Sequence, residues 1–398
     1  MMLIGIDASR AVTTRRTGTE AYAWFLIRAL IPLAGQRGHL LRLYFNQPPA
    51  PDLFPQADYV ENVIIPQARL WTHTRLAAEL HRRPPDVFFT PAHVIPLSYH
   101  GRAVATIHDL GYHHFPESHP RRQRAYLRWS TRHNGRRSWR VIADSQATKE
   151  DLTRFDGISP DKIVVIYPGV DPALQPVTDA ARMTAVLQKH NITPPYFLFL
   201  STLQPRKNLS RLIEAYAQSG VPHQLVLAGN PGWLSQPILD KIASLPTPLS
   251  EKIILPGYIP DADKAALLSG ATAVLYPSLY EGFGFPVLEA QACGTAVLTS
   301  TTSSLPEVAG DAALLVDPLD TTALAAAICR LAQDESLRRA LVEKGLVNVR
   351  RFSWEDTAVQ ALNLFEGNLL EVNLLEVNLL EDNLLEDNLP ENKKDRAV

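Results

Sequence analysis

The chain has 398 residues, a hydrophobic fraction of 46% and a formal net charge of −2. This length favours two domains over one oversized core, and the composition is that of a globular protein, not of a disordered or fibrous one. The two cysteines, Cys293 and Cys329, exclude a disulfide framework and a cysteine metal site, and indicate a reducing compartment. Since no apolar run approaches the ~18 residues that span a bilayer, we expect a cytoplasmic protein.

The first half of the chain alternates short apolar strands with helical patterns, which is typical of βα units over a parallel sheet. We predict a first domain at 1–175. Gly18 stands between the first strand and an amphipathic helix, where it is either a plain turn residue or a point of close approach to a ligand. The strands are predicted at Leu3–Asp7, Leu40–Phe45, Val63–Ile65, Val87–Thr90, Ala103–Ile107, Val141–Ala143 and Lys162–Ile166.

His108 and Asp109 directly follow one of these strands, Ala103–Ile107. Ligands of open α/β sheets bind at the carboxyl ends of the strands, which makes His108 a candidate ligand-contacting residue. The alternative is a structural histidine that is hydrogen-bonded within its loop. Position alone does not separate the two interpretations.

The stretch 121–140 contains eight arginines and no acidic residue. Arg124, Arg128, Arg132 and Arg136 recur every four residues and therefore share one face of a helix. A basic amphipathic helix suits an anionic membrane surface; the alternative is a solvated face, or pairing with acids elsewhere in the fold. Nucleic acid is not an expected partner, because no nucleic-acid module and no domain-wide basic charge accompany the stripe.

The second half begins after an irregular segment with several prolines at 176–195, which suits a linker. The βα pattern restarts there, and we predict a second domain at 196–350. In the loop after its first strand, Arg206 and Lys207 offer a fork of donors and a point charge beside a helix start, which suits a diphosphate. Its strands are predicted at Tyr196–Leu200, Leu225–Leu227, Ile253–Leu255, Ala271–Leu275, Ala296–Leu298 and Leu314–Val316.

The stretch 276–289 joins a buried strand to a helix through a loop that contains Gly282 and Gly284. Glycine lets a backbone approach a ligand, and the first turn of the helix offers the amides of Val287 and Leu288, with the positive end of the helix dipole behind them. Strand–turn–helix junctions of this kind bind anions.

Two carboxylates flank this anion site, Glu281 and Glu289. They would repel a phosphate, so we assign them to hydroxyl groups beside it. A phosphate next to a polyol indicates a sugar nucleotide.

Two other features are not assigned any chemistry. Asp261 and Asp263 have the Asp-x-Asp spacing of a metal site but precede an apolar helical pattern, so we interpret them as acids at a helix start and expect no metal. Residues 368–398 consist largely of a five-residue tandem repeat, for which we predict a frayed helix or disorder.

In combination these motifs resemble the family 4 retaining glycosyltransferases. The resemblance is dense from Tyr196 to Asp317, where two glutamates are separated by seven residues. The matching segments are Gly18-Thr-Glu20, Thr106-Ile-His-Asp-Leu110, Ala143-Asp-Ser145, Arg206-Lys-Asn208, Pro256-Gly-Tyr258, Pro277-Ser-Leu-Tyr-Glu-Gly-Phe-Gly284, Glu289-Ala-Gln-Ala-Cys-Gly294 and Leu305-Pro-Glu-Val-Ala-Gly310.

The resemblance implies an α/β fold of the GT-B type, with two Rossmann-like domains whose parallel sheets face each other across a cleft. The N-terminal domain would hold the acceptor and the C-terminal domain the nucleotide-sugar donor. We also expect a C-terminal helix at 351–367 that packs back toward the N-terminal domain.

The resemblance also implies a role for each candidate residue. Glu281 would face the donor sugar, Arg206 and Lys207 would hold the diphosphate, and His108 would contact the sugar or the acceptor. Glu289 would bind the ribose hydroxyls. The other residues expected around the donor are Gly18, Tyr258, Gly282, Phe283, Gly284, Val287 and Leu288.

The implied function is retaining transfer of a hexose from a nucleotide sugar to a glycan or lipid-linked acceptor, without a metal or another cofactor. The segment around His108 favours mannosyl transfer from GDP-mannose. The alternatives are a sugar-nucleotide epimerase of the same architecture and a non-catalytic protein that binds sugar nucleotides. With the arginine stripe on an anionic membrane, we expect a peripheral position on the inner face of the cell membrane.

Overall fold

Two parallel β-sheets organise the chain. The computed structural model describes residues 1–13, 16, 18–92, 94–118 and 120–368; most of the repeat tail, from 369 onward, lies outside the described residues. Within the described part the two sheets have seven and six strands. The strands are β1 (Leu3–Asp7), β2 (Leu40–Phe45), β3 (Val60–Ile64), β4 (Val87–Thr90), β5 (Ala103–Ile107), β6 (Arg140–Ala143), β7 (Ile163–Val165), β8 (Tyr196–Leu200), β9 (Gln224–Ala228), β10 (Ile253–Gly257), β11 (Ala273–Tyr276), β12 (Val297–Ser300) and β13 (Leu314–Val316).

Both sheets have the strand order of a Rossmann-like domain. The order is β3-β2-β1-β4-β5-β6-β7 in the first sheet and β10-β9-β8-β11-β12-β13 in the second, with parallel pairing. The order reverses beside β1 and β8, which opens a crevice at the carboxyl ends of the strands. The predicted α/β fold with two Rossmann-like domains is confirmed.

Burial explains why the strands were readable from the sequence. Helices cover both faces of a parallel sheet, so its central strands are continuous apolar runs. Every residue of β5 and β11 is buried. The edge strand β3 is only half-buried and alternates in exposure, and here the predicted limits, 63–65, miss the first three residues.

Helices connect the strands and cover the sheets. Short 3₁₀ turns lie at Pro116–Ser118, Pro160–Lys162, Pro205–Lys207 and Val349–Arg351, and a π-helical turn lies at Thr72–Leu76. The helices are α1 (Gly18–Gln36), α2 (Ala77–Arg82), α3 (Gly111–His114), α4 (Arg121–Arg137), α5 (Gln146–Asp156), α6 (Ala180–Lys189), α7 (Leu209–Ser219), α8 (Gln236–Ala243), α9 (Thr247–Ser250), α10 (Asp261–Ser269), α11 (Phe285–Ala292), α12 (Leu305–Ala309), α13 (Thr321–Gln333), α14 (Glu335–Asn348) and α15 (Trp354–Glu366).

The last helix, α15, belongs to the core of the N-terminal sheet although it follows the second sheet in sequence. Ser353 caps its start by accepting a hydrogen bond from the amide of Asp356 at 3.0 Å. Phe365 is fully buried and its ring centroid lies 5.1 Å from that of Phe89 in β4. Glu366 forms an ion pair with Arg37 at 2.8 Å. The chain therefore crosses between the two sheets a second time after the 3₁₀ turn at 349–351.

We predict that Phe365→Ala lowers the thermal unfolding midpoint of the protein. A buried phenylalanine truncated to alanine loses transfer free energy and leaves a cavity, a cost of about 3–5 kcal/mol. Calorimetry measures the midpoint, and Val347→Ala, at a site that is 55% exposed, is the control with almost no expected change. Equal midpoints for both variants would contradict a stabilising role of α15.

Candidate active site

Two loops of the C-terminal domain meet because their strands are neighbours. β8 and β11 pair directly, so the loops that leave their carboxyl ends lie side by side. The loop after β8 carries Arg206 and Lys207 in the 3₁₀ turn, which ends at Asn208 in the left-handed conformation (φ 62°) before α7 begins. The loop after β11 carries Glu281 and leads into α11.

The carboxylate of Glu281 is the centre of this arrangement. Its Oε1 accepts hydrogen bonds from Lys207 Nζ at 2.6 Å, Ser278 Oγ at 2.6 Å and the Tyr276 hydroxyl at 2.9 Å. Its Oε2 accepts from Arg206 Nη1 at 3.0 Å. The Glu281 side chain is only 9% exposed. The structure thus brings together the three charged residues that were predicted to act on the sugar and the diphosphate.

The pKa values of Glu281 and Lys207 are shifted by burial and by the neighbouring charges. Burial alone would raise the pKa of Glu281, but Arg206 and Lys207 outweigh it and lower that pKa to about 2. The pKa of Lys207 is lowered to about 8, first because the ammonium is buried and then because Arg206 lies beside it. Glu281 is therefore ionised at every physiological pH. The two cations and Glu281 together carry a net charge of +1 before the start of α11, and Asp109 is a further carboxylate that acts on both cations.

The residues on both sides of Glu281, Tyr280 and Gly282, form hydrogen bonds with the N-terminal domain. Tyr280 donates to Asp151 Oδ2 at 2.7 Å, and its ring stacks on His114 with centroids 4.4 Å apart. The carbonyl of Gly282 accepts from Ser145 Oγ at 2.6 Å. The carboxylate itself is held by residues of the C-terminal domain, and the residues on either side of it attach its loop to the N-terminal domain.

Gly282 has a steric reason to be glycine that differs from the predicted one. A Cβ atom built on it would lie 1.8 Å from the carbonyl oxygen of His108, which is far inside van der Waals contact. The close approach is made by the backbone of the other domain. Gly284 is required for another reason, since its φ of 125° is unfavourable for residues with a side chain.

His108 lies at the end of β5, as predicted, with both ring nitrogens hydrogen-bonded inside its own domain. Nδ1 lies 2.6 Å from Asp144 Oδ2 and Nε2 lies 2.8 Å from the carbonyl oxygen of Pro91. Burial would lower the pKa of His108, but Asp144 and the Pro91 carbonyl raise it overall. Burial in turn raises the pKa of Asp144, while His108 acts to lower it. The structural interpretation of His108 accounts for both ring nitrogens. Its ring also packs against that of Tyr22, with the ring centroids 4.7 Å apart and an interplanar angle of 78°.

Glu289, predicted to bind the ribose, forms an ion pair with Lys264 of α10. Sequence reasoning missed Lys264. The available signal was a lone lysine within the apolar run of α10, where its neighbours from 265 to 268 are buried. It lies in the first turn of that helix, which begins at Asp261 and ends at Ser269.

The remaining predicted donor residues differ in their exposure. Gly18 is the first residue of α1, and a Cβ atom there would meet open space. Tyr258 is 45% exposed in the loop after β10. The side chain of Phe283 is buried between aromatic neighbours, with the Phe352 centroid at 5.8 Å, and its carbonyl oxygen accepts a hydrogen bond from Ser304.

The first turn of α11 differs from the expectation. The amide of Val287 donates to the carbonyl of Gly284 at 3.0 Å, because the turn is tight, so Val287 does not offer the free donor that was predicted. The side chain of Leu288 is fully buried in the C-terminal core.

The arginine stripe on α4 divides into two groups. Arg132 forms an ion pair with the buried Asp156 at 2.8 Å, so the interpretation as pairing within the fold holds for this residue. Arg124 is half-buried, and its Nη1 donates to the carbonyl of Pro116 at 3.5 Å. Arg128 and Arg136 are exposed. The exposed side chains line a groove together with Arg121 and Trp129.

Neither metal-binding clusters nor spanning helices occur in the part of the chain that the structure describes. No group of three or more His, Cys, Asp and Glu side chains is arranged to hold a metal there. None of the helices in that part combines the length and apolarity needed to cross a bilayer. The metal-free site remains a prediction.

Known proteins share this architecture and these motifs. A family model described as glycosyl transferases group 1 matches residues 184–346, and one described as glycosyltransferase family 4 matches residues 16–174. O-antigen chain mannosyltransferase B of Escherichia coli is 34% identical over 270 residues, which cover 67% of this chain and 70% of that protein. The chain belongs to glycosyltransferase family 4. The serotype-specific mannosyltransferase WbdA of Escherichia coli is 31% identical over 232 residues, or 56% of this chain and 28% of WbdA.

Solved structures show the same fold at lower identity. Sucrose-phosphate synthase from Thermosynechococcus elongatus superimposes with a TM-score of 0.72 at 22% identity, over 93% of this chain and 100% of that one. Anabaena HepE, in complex with UDP and glucose, superimposes with a TM-score of 0.69 at 18% identity, over 92% and 100% of the two chains. Together with the sequence matches, these likenesses identify a group 1 glycosyltransferase of the GT-B fold.

For this glycosyltransferase, we predict an alkaline loss of activity that Lys207 controls. A neutral Lys207 neither offsets the buried charge of Glu281 nor attracts an anionic donor, and its pKa of about 8 places the loss in an accessible range. We expect kcat/KM to fall as the pH rises through about 8 and by about tenfold per unit beyond it. The measurement is a pH profile of donor turnover.

Lys207→Arg is the matched variant, because a guanidinium stays protonated across this range. Normalised to its own value at pH 7, its profile should lack the alkaline decline. The same decline in both enzymes would assign the titration to another group.

Proposed function

We propose that this protein is a retaining, metal-independent hexosyltransferase that moves mannose from GDP-mannose to a glycan or lipid-linked acceptor. The observation that supports it best is the buried network of Glu281, Arg206 and Lys207 at the start of α11. It combines hydrogen-bond acceptors for sugar hydroxyls with a net positive charge for a diphosphate, which is what a nucleotide-sugar donor requires.

The choice of mannose is supported by the names of the relatives. Several curated relatives are mannosyltransferases, among them the proteins of Escherichia coli named above. HepE was solved with UDP-glucose as well, so a uracil donor is the competing choice. Gly257 ends β10, at the edge of the sheet, and Tyr258 follows it; this is the part of the chain that we assign to the base.

The properties of Glu281 favour a mechanism without a side-chain nucleophile. A carboxylate with a pKa of about 2 that accepts four hydrogen bonds is a weak base and is held in place. We therefore assign it to the hydroxyls of the donor sugar. The bond between the anomeric carbon and the phosphate oxygen breaks, the acceptor oxygen bonds to the same face, and the acceptor proton passes to the leaving phosphate.

The cations take the role that a metal ion has in other sugar transferases. Arg206 and Lys207 neutralise the charge that develops on the leaving diphosphate, and the helix dipole of α11 adds to their effect. Glu289 accepts from the ribose hydroxyls. His108, held by Asp144 and the carbonyl of Pro91 at the carboxyl end of β5, is assigned to contact with the sugar or the acceptor.

The exposed arginines of α4 support contact with a membrane that carries the acceptor. Arg121, Arg128 and Arg136 are exposed beside two partly exposed aromatic residues, Tyr126 at 52% and Trp129 at 40%. Cations with amphipathic aromatic rings are the combination that an anionic lipid interface binds. This surface lies on the N-terminal domain, to which we assign the acceptor.

The catalytic assignment predicts that Glu281→Gln and Lys207→Met each lower kcat/KM by about 10²–10³, the range for loss of one electrostatic contact to the transition state. The wild-type donor is first identified by thermal shift with GDP-mannose, UDP-glucose and related nucleotide sugars. Slow donor hydrolysis serves as the readout before the acceptor is known. Lys241→Met, which breaks an ion pair with Glu214 on the surface, is the control with unchanged turnover.

Two results would reject this function. Full turnover in either active-site variant would show that the network is only structural. Conversion of the donor to its epimer in the absence of any acceptor would identify the epimerase instead.

The membrane assignment predicts that the triple variant Arg121→Glu, Arg128→Glu and Arg136→Glu binds vesicles with anionic lipid at least about 100-fold more weakly, since each basic residue contributes about 1 kcal/mol. Arg132 stays unchanged because reversing its charge would repel the buried Asp156.

The matched control reverses the same number of charges at Arg330, Arg339 and Arg350, which are exposed on the C-terminal domain. Flotation should separate the two variants while their thermal midpoints stay equal. Equal vesicle binding by both would remove the membrane from the proposal.

A further inference from the structure

Basic side chains crowd together on the N-terminal domain where α4 ends. The guanidinium groups of Arg102 and Arg140 both lie over the ring of Trp139, at 3.6 Å and 4.8 Å from its centroid. Lys162 Nζ donates to the carbonyl of Arg136, near the end of α4, at 2.8 Å. We call this set the basic cluster; its members are Arg102, Arg136, Arg137, Arg140 and Lys162.

The described carboxylates do not balance this cluster. The pKa of Arg102 is lowered by burial and then by Arg140, and the pKa of Lys162 is lowered by burial and then by Arg140 and Arg137. No carboxylate of the described residues contributes to either shift. Three buried donors, Arg102 Nε, Arg137 Nη2 and Arg140 Nε, have no hydrogen-bond partner there. Crowded like charges and unpaired donors cost free energy, which a nearby anion would offset.

The end of α15 brings the acidic tail, residues 369–398, to the same place. Gly367 ends the helix in the left-handed conformation, and the amide of Asn368 donates to the carbonyl of Asn363 at 2.9 Å. A Cβ atom built on Gly367 would lie 3.4 Å from Arg102 Nη2. The tail therefore starts beside the basic cluster.

The composition of the tail complements that of the cluster and of α4. Between 369 and 392 the chain contains seven acidic residues and no basic one, and each of four repeats places two leucines directly before a glutamate. On α4, the exposed Arg128 and Arg136 accompany two partly exposed aromatic residues, Tyr126 and Trp129. Carboxylates that alternate with leucine pairs thus match a surface on which arginines alternate with aromatic rings.

The tail is also long enough to cover this surface. The 17 residues of α4 span about 25 Å. The 30 residues from 369 to 398 would reach about 45 Å even as a helix, and about 100 Å when extended. A tail that starts at the end of α4 can therefore run along the whole helix.

We propose that the acidic tail folds back onto the basic cluster and along the exposed face of α4. Its carboxylates pair with the arginines, and its leucine pairs cover Tyr126 and Trp129. The tail then occupies the surface that we assign to an anionic membrane, so that tail and membrane compete. This competition rests on the proposed membrane contact, whereas the contact of the tail does not.

The test couples the tail to the surface in the full-length protein. A carbodiimide joins a carboxylate to an amine, and Arg136→Lys places an amine in the cluster without changing the charge. We expect amide bonds from this amine to Glu371 or Glu376, identified by mass spectrometry of the cleaved protein. The yield should fall at least fivefold, to about a fifth or less, between 0.1 M and 1 M salt, because the Debye length shrinks from about 10 Å to about 3 Å.

Gln36→Lys is the matched control. Gln36 is exposed at the end of α1, next to Arg37, which pairs with Glu366 of α15. An amine at this site is near the start of the tail but outside the basic cluster. We expect a yield about tenfold lower than for Arg136→Lys, the factor that two weak ion pairs add to proximity alone.

Two results would overturn the contact of the tail. Equal yields for both variants that do not change with salt would show that only proximity brings the tail to either amine. Coupling between two copies of the chain, instead of within one, would show that the surface binds the tail of another molecule.

Vesicles test the competition in the same assay. Vesicles that contain phosphatidylglycerol should lower the coupling yield of Arg136→Lys about tenfold, whereas vesicles of phosphatidylcholine should leave it unchanged. Full coupling in protein that floats with the anionic vesicles would overturn the competition. A protein that couples its tail but floats with neither kind of vesicle would reject the membrane contact and support the contact of the tail.

Discussion

The interaction on which the site depends is the enclosure of the Glu281 carboxylate by two cations and two hydroxyl groups. An isolated buried carboxylate would cost several kcal/mol, and so would an isolated buried ammonium. Each of the three buried charges is therefore stable only in the presence of its partners. Because Arg206 and Lys207 outnumber Glu281, the network keeps a net positive charge at a helix start. The free-energy cost of burying these cations is met during folding, so it does not reduce the binding free energy of a nucleotide diphosphate.

The loop that carries this carboxylate also contacts the other domain. Tyr280 and Gly282 flank Glu281, and both are hydrogen-bonded to the N-terminal domain. The absence of a side chain at Gly282 lets the backbone of His108 approach it. The loop that carries Glu281 is therefore hydrogen-bonded to the half of the chain that we assign to the acceptor.

The sequence patterns pointed to charged side chains that meet in the fold, but they did not show which side chains contact each other. The sequence pointed to Glu281, Arg206 and Lys207, which the structure brings into contact, because loops after neighbouring parallel strands must meet. The patterns did not show that Glu281 binds both cations or that Lys264 pairs with Glu289. Each of these contacts joins residues at least 25 positions apart in the chain, and local periodicity carries no signal at that range.

By itself, the sequence determined the two-domain α/β fold, the strands of both sheets and the set of charged residues in the 281–289 stretch, since local apolar runs and turn residues decide these features. Only the tertiary structure decided what those residues touch. Arg132 forms an ion pair with the buried Asp156, whereas Arg128 is exposed to solvent, although both belong to the same periodic stripe. In the same way, the sequence shows Glu281 only as one of two carboxylates beside an anion site, whereas the structure shows that it binds both cations of that site. The physical reason is that charge pairing depends on distance in space, which the fold sets and the spacing along the chain does not.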